Sequence, residues 1–217
     1  IRSDVNRLLS GTQKPRVGAI GDSRLHHDVA NYTVVTGSLP YINDTAVPAA
    51  GKVAGKSTRG ILTWFEALSF GQVECHIYDT QTVSGGQVSW SPMDNHAIGG
   101  SVTDALSYHI DRILAQDTQP THVVIMSGYN DAGLSGIFSD AGAVAALAVA
   151  KTNLLTAWAR LLSAGIKPIM FVDPPADFAS NTFRVKYHTA LRNWQRLNAE
   201  KYGCWMVDVA DIAADPA

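Results

Sequence analysis

The sequence predicts an α/β domain built on a parallel sheet with helices on both faces. Short, nearly all-apolar runs alternate with amphipathic stretches of helical period. The runs end at Gly, Asp or Pro, and no repeat, low-complexity tract or linker divides the 217 residues. A strand buried on both faces reads as a continuous apolar run, and parallel strands need a crossover between them, usually a helix.

The first element is Arg16–Ile20, an apolar run stopped by Gly21-Asp22-Ser23, the pattern of a buried strand and a turn. Residues 31–58 are rich in Thr, Val, Gly and Pro without helical period, and predict an inserted loop or small β excursion. Arg59–Phe70 sets Ile61, Trp64, Phe65 and Leu68 at helical spacing. Val73–Tyr78 reads as a second strand and Val83–Pro92 as a short irregular one. Ser101–Gln116 is an amphipathic helix with Val102, Leu106, His109, Ile110 and Ile113 on one side and Ser101 or Thr103 as its cap. Thr121–Met126 is the most apolar strand. The Ala-rich Ala141–Leu162 is a long helix closed by Gly165. Lys167–Val172 is a strand stopped by Asp173-Pro174-Pro175. Phe183–Tyr202 is a helix ended by Gly203, and Trp205–Val209 is about the fifth strand.

Composition narrows the function classes. Hydrophobic residues are 46% and charged residues 17%, with 17 Lys+Arg against 19 Asp+Glu for a net charge of -2. That excludes disorder of the whole, and no basic run is present to neutralise phosphates, so no nucleic-acid partner is expected. No stretch of ~18 apolar residues is free of charge, so no membrane span is expected. Nor does a basic-then-apolar leader open the chain. Cys75 and Cys204 cannot form a disulfide framework, and strands in the order 2-1-3-4-5 would hold them apart. The chain begins at Ile1 and stops at Asp215-Pro216-Ala217 in loop-like sequence, which reads as a piece of a longer polypeptide.

In parallel sheets of this kind ligands bind outside the carboxyl ends of the strands. Three segments stand there. Ser23 follows Gly21 at a strand-to-helix turn, where a hydroxyl lies beside a free N–H; alone, it reads as a helix cap. Gly99-Gly100 precedes a helix and allows close approach to the backbone, or is an ordinary turn. Gly128-Tyr129-Asn130-Asp131 follows the most apolar strand; Asn130 offers an amide donor, or the four are turn formers. Together they supply a nucleophilic hydroxyl and three oxyanion donors: the Ser23 and Gly100 N–H groups and the Asn130 side chain.

This set resembles the SGNH or GDSL hydrolases. The resemblance is carried by Val17-Gly18-Ala19-Ile20-Gly21-Asp22-Ser23, by Asn95-His96-Ala97-Ile98-Gly99-Gly100-Ser101-Val102-Thr103, and by Val123-Val124-Ile125-Met126-Ser127-Gly128-Tyr129-Asn130-Asp131, in order and over nearly the whole chain. It implies a three-layer α/β/α, flavodoxin-like fold with a central five-stranded parallel sheet, and ester hydrolysis through an acyl-serine without cofactor. Ser23 is then the nucleophile, and Ser23, Gly100 and Asn130 are the oxyanion donors, with Gly99 as the fallback for Gly100. Asp22, His27, Asp131 and Trp90 are candidate substrate contacts. Arg24 stands where the family commonly has Leu or Ile. The family's Asp-x-x-His, which supplies the general base, has no counterpart after Asp211, so the pair is expected beyond Ala217 and this stretch alone is expected to fold yet be nearly inactive. His26, His27 and His96 are the internal alternatives.

No metal site is expected, since neither His-x-x-x-His nor Cys-x-x-Cys occurs. Trp64, Trp158 and Trp194 fall at core positions of helices, while Trp90, in an irregular segment, suits a stacking surface. The expected substrate is an acylated small molecule or polysaccharide, most simply an acetylated sugar. The second hypothesis is an idle carbohydrate-binding module of a larger cell- or virus-surface protein, with a surface or extracellular setting in either case.

Overall fold

The computed structural model describes residues 14–22, 25, 69, 72–73, 78–84, 87–92, 94–134, 137–176, 178 and 181–208, with backbone only at 78–84, 87–92 and 134. Strands β1 (Val17–Gly21), β4 (His122–Met126), β5 (Lys167–Val172) and β6 (Trp205–Asp208) form a parallel sheet in the order β1-β4-β5-β6. The register runs from Val17 opposite His122 to Gly21 opposite Met126, so β1 and β4 end level with one another. Helices α1 (Leu106–Leu114), α3 (Asp140–Ser163) and α4 (Thr182–Asn198) connect the strands, and a short α2 (Tyr129–Leu134) opens directly after β4.

Both faces of this sheet are buried. Ile20, Val123, Ile125, Met170 and Val172 point to one side, where Ile110, Leu154, Trp158 and Leu191 of α1, α3 and α4 cover them. Ala19, Val124, Met126, Ile169 and Phe171 point to the other, where the described cover comes from Leu25, Ala97 and Val73. Alternate residues of one strand thus serve two cores, which is why each strand is apolar along its whole length. Trp158 and Trp194 stack at 5.4 Å between α3 and α4; Trp158 is a core residue as expected, while Trp194 is partly buried and packs against that core. Cys204 is free and buried just before β6.

Two expectations change. The place beside β1 is taken by the extended segment Asp94–Ile98: Ala19 N donates to Asp94 O at 2.9 Å, His96 N to Ala19 O at 2.8 Å and Ile98 N to Gly21 O at 3.0 Å. The expected strand Val73–Tyr78 lies mostly outside the described residues, and Tyr78 instead opens an antiparallel hairpin of β2 (Tyr78–Ser84) and β3 (Gln87–Pro92). The hairpin ends just before the segment that completes the sheet. The second change concerns the cap of the helix expected from Ser101. The helix begins as a 3-10 turn at Thr103–Ala105 with no local side-chain cap, because a carboxylate from α2 takes that role. The inserted loop at 31–58 and nearly all of the expected helix at 59–70 lie outside the described residues.

By length and composition alone α3 is apolar enough to cross a membrane. It carries Lys151 at its middle, and it buries Leu154, Ala157, Trp158 and Leu161 in the sheet-facing core.

Candidate active site

The carboxyl ends of β1 and β4 and the Asp94–Ile98 segment converge on one edge of the sheet. Asn95 fixes the last of these. Its Nδ2 donates to Leu25 O at 2.8 Å, and its Oδ1 accepts from Ala97 N at 3.0 Å. The segment then turns at Gly99-Gly100. Gly100 is exposed and has φ +79°, a backbone conformation that costs a residue with a Cβ about 1–2 kcal/mol. No described residue stands within 4 Å of where its Cβ would be. Its N–H makes no hydrogen bond to any described residue.

Asn130 faces this turn from the first turn of α2. Its Nδ2 donates to Ser101 O at 3.0 Å, which fixes the amide beside the Gly100 loop. An amide nitrogen carries two protons, so one N–H orients the group while the other is available to a ligand. The structure therefore brings two of the sequence-predicted donors, Gly100 and Asn130, together through a single carbonyl. At the end of β1, Asp22 N donates to Met126 O and Leu25 N to Asp22 O, both at 3.2 Å. Ser23, Arg24, His26 and His27 lie outside the described residues, as does the side chain of Trp90, whose backbone pairs with Gln81 in the hairpin.

Asp22 and Asp131, expected as substrate contacts, are both buried, which disfavours that role. Asp131 is clamped across the site. Thr103 Oγ1 donates to its Oδ1 at 2.6 Å, and Thr103 N donates to Oδ2 at 3.0 Å, while Asn153 Nδ2 donates to the Thr103 hydroxyl at 3.2 Å. Burial raises the Asp131 pKa and the Thr103 bonds pull it back. The carboxylate thus caps the helix that follows Gly100 and ties it to the helix that carries Asn130. Asp131→Ala is expected to cost about 1–3 kcal/mol by orphaning the Thr103 donors, read as a lower urea midpoint, with a fall in any hydrolytic kcat as the two donors lose register. Sequence reasoning missed Thr103 in this role, because the pairing spans 28 residues and leaves no periodic trace.

Four histidines are described and all are buried: His96, His109, His122 and His188. His109 Nε2 lies 3.4 Å from Ser101 Oγ, under the Gly100 loop. Burial, with Arg112 adding repulsion, lowers the His109 pKa to about 4. Burial and Lys167 do the same to His122, also to about 4. Between those values and the ordinary 6.5, the unfolded chain binds protons that the folded chain does not. Stability should therefore fall as pH drops from about 6.5 towards 4, and these two groups add no slope above that window. Thermal melts from pH 7 to 4.5 should show the decline, and the pair His109→Gln, His122→Gln should flatten it.

Comparison with solved structures decides the architecture. The chain matches a protein described as lipolytic and of the G-D-S-L family from Desulfitobacterium hafniense DCB-2, with TM-score 0.53, 17% identity, and 94% of this chain on 82% of that one. The fold is that of the SGNH hydrolases. The same SGNH-type fold is shared with the SGNH-hydrolase family esterase AlinE4 (TM-score 0.52, 18% identity, 95% of this chain and 82% of that one). A variant of the acetyl xylan esterase Axe2 from Geobacillus stearothermophilus also matches (TM-score 0.56, 14% identity, 92% and 80%). No family model and no curated protein matches the sequence. In this SGNH-type fold the described parts of the three motif segments, which reach Asp22, Gly100 and Asp131, stand at the carboxyl edge of the sheet.

Proposed function

We propose that the protein is a serine esterase that removes a small acyl group, acetyl in the simplest case, from a carbohydrate through an acyl-Ser23 intermediate. The observation that carries this reading is that the Asn130 amide is fixed on the carbonyl of Ser101, the residue after Gly100, whose own N–H bonds to no described residue, at the strand end next to β1. Two donors at an exposed turn suit an oxygen that gains negative charge.

In the proposed reaction the Ser23 hydroxyl oxygen attacks the ester carbonyl as its proton passes to a general base. The Gly100 N–H, the Asn130 Nδ2 and the Ser23 N–H receive the carbonyl oxygen as it becomes an oxyanion. Collapse expels the alcohol, which takes the proton, and water then releases the acid from Ser23. None of the four described histidines opens to the crevice; in this reading the base belongs to an Asp-x-x-His pair of the kind the resemblance implies, with His26 and His27, which lie outside the described residues, as the alternatives. The acetyl xylan esterase among the structural neighbours supports the choice of an acetylated sugar.

The test uses the full-length protein and a p-nitrophenyl alkylphosphonate, which reports its reaction by stoichiometric p-nitrophenol release. Mass spectrometry should find one phosphonyl adduct, on the peptide that contains Ser23. Release without an adduct on that peptide, or no release, overturns the esterase reading and leaves the idle binding module.

A further inference from the structure

Tyr129 directly precedes Asn130 and is exposed at the carboxyl edge of the sheet. Its ring lies 5.1 Å from that of Phe178, which follows β5, with the planes tilted by 31°. Phe178 is partly buried against the core, and both rings are held from behind. His188 of α4 meets both edge-on, at 5.8 Å from Tyr129 and 5.5 Å from Phe178. His188 is itself fully buried, and its Nε2 is 3.4 Å from Asp173 Oδ2.

The next turns of α4 lock the same corner. Gly128 has φ +123°, and a Cβ there would stand 2.4 Å from Leu191 Cδ2. Gln195 Nε2 donates to Ser127 O at 3.4 Å. Residues 188, 191 and 195 share one helix face, and that face grips Ser127–Tyr129 in a single position. Phe138, 70% exposed, stands near by, because Asn181 donates from its backbone to Phe178 O and from its side chain to Ile137 O.

We propose that Tyr129 and Phe178 form a rigid stacking subsite for the alcohol part of the ester, and that it takes the apolar C–H face of a pyranose ring. This rests on the esterase reading. The base that deprotonates the serine also protonates the leaving oxygen, so the alcohol lies on the side of the base. The resemblance places that base after the last strand; Phe178 follows β5, the neighbour of that strand, and Tyr129, which follows β4, meets the Phe178 ring. An exposed aromatic face binds the apolar face of a sugar ring.

The experiment compares acetates that share the acyl group and differ in the alcohol: xylopyranose tetraacetate and ethyl acetate, with the full-length protein. Tyr129→Ala should lower the ratio of kcat/KM for the pyranose acetate to that for ethyl acetate about 3- to 10-fold, mostly through KM. Phe178→Ala, remote in sequence from Asn130, should do the same, and Tyr129→Phe should keep most of the ratio. An unchanged ratio in both alanine variants overturns the subsite. So does a changed preference between p-nitrophenyl acetate and butyrate, which would put the rings on the acyl side. If the wild type hydrolyses no acetate, the esterase reading has failed on its own. Calorimetric titration with xylotriose then decides the subsite: binding lost in Tyr129→Ala keeps it, and no binding to the wild type removes it.

Discussion

Asn130→Ala is expected to lower kcat for acetyl ester hydrolysis by ~10²–10³ with little change in KM. A donor aimed at a developing oxyanion is worth ~2.7–4 kcal/mol in the transition state and much less in the ground state. In the proposed reaction this leverage comes from orientation. One Nδ2 proton is committed to Ser101 O at 3.0 Å, which fixes the amide, and the second proton of the same nitrogen is the proposed oxyanion donor. A preorganised donor costs nothing to orient when charge appears. Stability should change little, because the side chain is half-buried and bonds to one carbonyl only. Steady-state kinetics with a denaturation curve on the same sample checks both halves. Loss of folding, or an intact kcat, would make Gly128–Asp131 a structural turn and remove Asn130 from the oxyanion site.

Asp94→Ala is expected to destabilise the fold by about 3–5 kcal/mol, the cost of leaving a buried charge without its partner. Asp94 is fully buried and receives Arg16 bidentately, with Nε at 2.6 Å from Oδ2 and NH2 at 2.7 Å from Oδ1. The pair joins the start of β1 to the start of the segment that carries Asn95 and Gly100. Its loss should therefore also loosen the oxyanion side of the site. Chemical denaturation should show the full loss in Asp94→Ala and a smaller one in Asp94→Asn, which keeps an acceptor for the guanidinium. An Asp94→Ala protein as stable as the wild type would mean that the Arg16 charge reaches water, and that the segment is held by its backbone bonds to β1 alone.

The sheet was legible in the sequence for a simple reason. Strands buried on two faces must be apolar at every position, and Val123-Val124-Ile125-Met126 or Pro168-Ile169-Met170-Phe171-Val172 have few other readings. Helix ends were legible where the signal is local. Gly203 takes φ +81° after the last 3-10 turn, and Gly165, with φ +77°, follows the end of α3. Even the edge of the sheet that carries the chemistry could be named, because Gly100 and Asn130 each follow a strand or extended segment directly and parallel sheets present such ends together.

What the sequence by itself determined, then, is the fold class, the strand ends at which the candidate site lies, and the residue types available there. Those follow from burial and backbone freedom, which act on each residue and its immediate neighbours. Only the tertiary structure decided the rest. It set Asp94–Ile98 beside β1, although no apolar run marks that segment. It made Asp131 the cap of a helix that begins 28 residues earlier. It also buried His188 against Asp173 and laid it behind Tyr129 and Phe178. Each of these is a pairing between groups far apart along the chain. Hydrogen bonds and ring contacts select their partners by position in space, and that position exists only once the helices have docked on the sheet.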